Sequence, residues 1–132
     1  NAKILAETLK NNGFKIYSGG TDTHLMLVDL RPFNVKGNLA SESLSRANIT
    51  CNKNGIPFDT ESPMVTSGIR LGTQAATTRG FGLKEFEKVG NLITKTIKGL
   101  SSNPEDNSKI EKEVRDEVVD LCSNFPIYKS LR

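Results

Sequence analysis

The chain has 132 residues, 36% hydrophobic and 25% charged, the size and balance of one domain that can bury a core without metal or disulfide staples. No apolar run approaches the roughly 20 residues of a membrane helix, and the net charge of +3 comes from eighteen basic residues interleaved with fifteen acidic ones, so neither a membrane nor a nucleic-acid partner is expected. Two cysteines, Cys51 and Cys122, stand far apart without a CxxC pair and His24 is the single histidine, which argues against a bound metal and fits reduced thiols in a cytoplasmic setting.

Residues Ala2 to Asn12 are good helix formers with Ile4, Leu5 and Leu9 on one side, and Gly13 follows where a left-handed C-terminal residue belongs. The chain opens at Asn1 in what reads as the middle of a helix, without an initiator methionine or an export signal, so an excised part of a longer protein is expected. Phe14 to Tyr17 predicts a short strand, Ser18 to Asp22 a turn, and His24 to Leu30 a central strand with Met26, Val28 and Leu30 on a wholly apolar face. Pro32 and Gly37 punctuate a loop before a helix over Asn38 to Ala47, with Leu39 and Leu44 turned inward.

Ile49 to Cys51 is expected to be extended, and Asn52 to Pro63, with its proline and glycine breakers, to be an irregular loop. A strand over Thr66 to Gly72 follows. From Leu83 the residues Phe86, Val89, Leu92, Ile93, Ile97 and Leu100 recur at helical steps up to the break at Ser101 to Pro104. Ile110, Val114, Val118, Leu121, Cys122 and Phe125 repeat the pattern to a stop at Pro126. Helix, two strands, helix, two shorter strands and two long helices predict an α+β fold, a small antiparallel or mixed sheet packed against helices.

Ser18, His24 and Asp22 supply the residue types of a hydrolytic triad, but Ser18 has no G-x-S-x-G elbow to expose its oxygen, and a structural histidine is the better reading. The glycines spell no phosphate loop: Gly68 and Gly72 flank an arginine where Gly-Lys-Ser is needed. The more informative segment is Thr66 to Thr73. Glycines on both sides let a ligand approach the planar guanidinium of Arg70, which can hold a carboxylate through two parallel hydrogen bonds. The plain alternative is a surface ion pair. Likewise the loop from Asn52 through Met64 either brackets a flat polar heterocycle or caps the sheet.

Taken together, SGGTDTHLMLVDLR (Ser18 to Arg31), ANITCNKNGIPFD (Ala47 to Asp59) and SPMVTSGIRLGTQAATTRGF (Ser62 to Phe81) resemble serine hydroxymethyltransferase, in order and spacing, from the opening NAKILAETL to the closing FPIY. Thr23 stands where the family commonly has asparagine, and Gln74 replaces the proline usual after Gly-Thr. The resemblance implies the C-terminal small domain, residues 1–132, of a fold-type I enzyme that acts as a homodimer. With pyridoxal phosphate that enzyme interconverts serine and glycine and passes a one-carbon unit to tetrahydrofolate.

On this resemblance Arg70 matches the arginine that clamps the substrate carboxylate, and Asn54, Ser62, Pro63 and Met64 match positions lining the pterin side of the folate site. Met64 departs from the phenylalanine often found there. His24 is expected to order the domain and Arg79 to support the loop before the next helix. No His-Lys pair is present, so the Schiff-base lysine and the main cofactor contacts are expected on a separate large domain and the chain alone is expected to be inert. The reading from another class is a free-standing module that binds an anion or a protein partner.

Overall fold

Helix α1 (Ala2–Asn11) ends at Gly13, whose φ of 105° is the left-handed value that favours glycine. There the Gly13 amide donates to the Lys10 carbonyl at 3.1 Å and the Phe14 amide to the Leu9 carbonyl at 3.0 Å, with the Leu9 and Phe14 side chains both buried. The chain thus reverses directly into the sheet. The computed structural model describes residues 2–19, 22–56, 59–72 and 82–123. After α1 come strands β1 (Lys15–Gly19) and β2 (Asp22–Asp29), a 3-10 turn at Arg31–Phe33 and helix α2 (Gly37–Arg46). Strands β3 (Asn52–Asn54) and β4 (Gly68–Gly72) then precede helices α3 (Leu83–Ser102) and α4 (Ser108–Ser123).

The four strands form one sheet in the order β1-β2-β4-β3, and every pair is antiparallel. The expected α+β arrangement is therefore present, with the sheet antiparallel rather than mixed. As expected, β2 is central, and Met26, Val28 and Leu30 are buried against the helices together with Ile69 and Leu71 of β4. Helix α1 packs on β1 and β2, α2 packs on β3 and β4, and α3 packs on α1 and α2. Phe86, Ile93, Ile97 and Leu100 of α3 complete this core, and Leu92 joins Ala47, Val114 and Val118 in a second cluster that seats α4.

Three expectations needed correction. The short strand lies at Asn52–Asn54 rather than Ile49–Cys51, within the segment expected to be irregular. Three polar residues form it because the edge of β4 offers unpaired backbone groups, not because their own β propensity is high. Strand β4 begins at Gly68 rather than Thr66, since Thr66 has a φ of 60°, outside the extended region. In α2 the inward face is Gly37, Ala40, Ser43 and Leu44, while Leu39 is only half-buried. Phe125 and Pro126, read as the end of the last helix, lie outside the described residues.

Candidate functional site

Residues directly opposite in an antiparallel ladder share a face, and neighbours along a strand alternate. Val28 and Ile69 are opposite one another and wholly buried on the helix side. Arg70, opposite Leu27 on β2 and Asn52 on β3, therefore lies on the other face, in a row completed by Tyr17 of β1. Arg70 is exposed, and among the described residues its guanidinium has no hydrogen bond or ion pair. The plain alternative of a surface ion pair is not met among those residues. What stands on this face is a planar cation on a strand paired along both edges.

Two residues along β3, about 7 Å from Asn52, Asn54 is the partner of Gly68. Here the chain leaves the sheet. Two stretches of chain, Lys53 to Gly55 and Glu61 to Pro63, wall a cleft of about 330 Å³, with Asp59 and Thr66 also in its lining. Three of the four residues expected to meet a heterocycle thus share one cleft. The fourth, Met64, is 72% exposed on the adjoining turn and does not line it. The Asn54 amide nitrogen donates to the Gly55 carbonyl at 2.9 Å, and both the Val65 and Thr66 amides donate to the Ser62 carbonyl.

The loop is fastened on three sides. Below it, the amides of Gly37 and Asn38, at the start of α2, donate to the Thr66 and Val65 carbonyls at 3.0 Å. These would otherwise be unsatisfied donors of a helix terminus. Above Gly68, the buried Ile56 side chain packs so closely that a β-carbon on the glycine would meet it at 2.6 Å. Gly68 therefore permits close approach rather than chain reversal.

Asp59 is the third fastening. Its carboxylate accepts from the backbone amides of Ile56 (3.2 Å), Glu61 (2.9 Å) and Ser67 (2.8 Å), and from the Ser67 hydroxyl (2.9 Å). Desolvation acts to raise its pKa, but these hydrogen bonds to the charged form outweigh it and hold the group down to about 2. Sequence reasoning missed this residue. An Asp accepting from the amide two residues on is a recognisable turn signal, whereas the link to Ser67 spans eight positions and has none.

His24 lies on β2, its side chain outside the described ones, and Arg79 lies outside the described residues altogether. A larger groove of about 690 Å³ along α3 and the start of α4 holds none of the expected site residues. Among the described residues no group of His, Cys, Asp and Glu is placed to hold a metal, and no helix is long and apolar enough to cross a membrane.

A family model described as serine hydroxymethyltransferase matches residues 1–93. The chain is 86% identical over all 132 of its residues to a serine hydroxymethyltransferase of Pelagibacter ubique. It is 63% identical to one of Marinomonas sp. and 61% identical to one of Paramagnetospirillum magneticum, each over 98% of the chain. It spans 30% of the length of each of these relatives.

Proposed function

Because the chain belongs to the serine hydroxymethyltransferase family, we propose that residues 1–132 form the C-terminal small domain of an enzyme that interconverts serine and glycine and passes the one-carbon unit to tetrahydrofolate. The observation that carries this reading is the exposed Arg70, without a described protein partner, on the same sheet face as the Asn54 cleft. A guanidinium in that position can take the α-carboxylate of serine or glycine in a bidentate grip and fix the direction of the side-chain bond. Asn54, with the backbone groups of Ser62 and Pro63, offers donors and acceptors to the edge of a pterin, and exposed Met64 offers an apolar surface beside it.

The sheet face around Arg70 does not fit pyridoxal phosphate itself. The row around Arg70 holds Tyr17, Leu27 and Asn52, with no amine to bond the cofactor's carbonyl carbon. Held elsewhere in the full-length protein, the cofactor would supply an electron sink. What this chain supplies is binding and orientation of the carboxylate and the heterocycle. A homodimer in the cytoplasm belongs to the same reading, which the family match favours over a free-standing module. The test is the full-length protein assayed with serine and tetrahydrofolate, first unaltered and then as Arg70→Ala and Asn54→Ala. Serine binding that survives loss of Arg70 would overturn the carboxylate role.

A further inference from the structure

A loop that must present backbone groups to a flat ligand has to keep its two walls at a set separation, and the loop between β3 and β4 contains little regular structure to do so. One side chain reaches both walls and the strand behind them. The Asp59 carboxylate takes the Ile56 amide, next to the Asn54 and Gly55 wall, and the Glu61 amide, next to the Ser62 and Pro63 wall. It also takes the amide and hydroxyl of Ser67, immediately before β4. From this geometry we infer that Asp59 is a positioning residue for the heterocycle of the second substrate, setting the width of the cleft without being its principal contact. The inference rests on the folate reading of that cleft.

Its effect is selective for a physical reason. Arg70 is held by ladder pairing to β2 and β3 on both sides, and Ile69 and Leu71 beside it are buried, so its place does not depend on the loop. The Ser62 and Pro63 wall has no such ladder. In Asp59→Asn the shape is retained, but an amide nitrogen replaces one acceptor oxygen. If it takes the position of Oδ1, the Ser67 hydroxyl can turn to accept, while the Glu61 amide loses its acceptor.

The test uses the full-length protein and measures tetrahydrofolate and serine affinities by calorimetry, with the thermal midpoint recorded for each variant. We expect Asp59→Asn to weaken tetrahydrofolate binding by roughly tenfold or more while serine binding changes by less than about threefold. Ser67→Ala, which removes only the hydroxyl's hydrogen bond, is expected to act in the same direction more weakly and serves if Asp59→Asn does not fold. Equal losses in both affinities would mean a general structural role and overturn the inference. Unchanged tetrahydrofolate affinity in Asp59→Asn, with a loss in Asn54→Ala, would overturn the inference alone. Unchanged affinity in both variants would overturn the folate reading and the inference with it.

Discussion

Asp59 and Ser67, eight positions apart, are joined twice: the Ser67 amide and hydroxyl both donate to the Asp59 carboxylate, at 2.8 and 2.9 Å. The contact ties the loop that carries Ser62 and Pro63 to the strand that carries Arg70. The region is therefore expected to be sensitive to acid.

Folded, Asp59 stays ionised down to about pH 2; unfolded, it takes up its proton near pH 4. Between those values the unfolded state binds more protons, so stability falls as pH falls, and the contribution is fully present above about pH 4. Thermal melts of the 132-residue chain from pH 5 to pH 2 are expected to show a steeper loss for the wild type than for Asp59→Asn. Parallel curves would contradict the hydrogen-bonded carboxylate.

Arg70→Lys keeps the charge but loses the planar fork, and Arg70→Ala removes both. In the full-length protein Arg70→Ala is expected to cost about 2 to 5 kcal/mol in serine binding or turnover, roughly thirtyfold to several thousandfold, with Arg70→Lys also impaired. The cofactor's absorbance before serine is added should not change. Near-normal serine kinetics, or loss of the cofactor, would return Arg70 to a structural role.

Gly99 lies in α3 where helix propensity alone favours alanine by about 1 kcal/mol. A β-carbon there would meet Asn107 Oδ1 at 2.2 Å. Buried Asn107 donates to the Ser43 hydroxyl and the Thr96 carbonyl, and Ser43 in turn donates to Glu111. Overpacking of about 1 to 3 kcal/mol should win, so Gly99→Ala is expected to lower the midpoint of chemical denaturation. A more stable variant would show that the network yields at no cost.

Burial pushes the Cys51 thiol up to about 11, so it is almost wholly protonated at neutral pH. Iodoacetamide is expected to label Cys51 slowly in the native chain and at the rate of a free thiol once denaturant is added. Mass spectrometry of the peptide containing Cys51 separates the two cases. Rapid native labelling would contradict the packing of Cys51 against the core.

A side chain held across the tertiary structure leaves no local trace, and Glu111 shows this most clearly. Its position on α4 reads as one more charged residue, yet it is 5% exposed and takes two hydrogen bonds at 2.9 Å from Arg46 of α2, 65 positions earlier. The Arg46 hydrogen bonds are the main cause of its lowered pKa, opposed by desolvation and reinforced by the Ser43 hydroxyl. With Ser43 and Asn107 this carboxylate fastens α4 to α2. No spacing rule would have paired them.

Where a residue's role depends on its near neighbours along the chain, the sequence by itself determined the outcome. The period of Phe86, Ile93, Ile97 and Leu100 fixed a helix and its buried face, Gly13 ended α1, and the apolar Met26, Val28 and Leu30 placed β2 inside the sheet. The segments that carry Arg70 and Asn54 stood out in the sequence as motifs of a family resemblance rather than through local periodicity. Only the tertiary structure decided that Asn52–Asn54 is a strand, that Asn54, Ser62 and Pro63 share a cleft, and that Asp59 holds it. Edge pairing and carboxylate hydrogen bonds act between segments that the chain brings together only after its core has formed, so their partners cannot be read from local pattern.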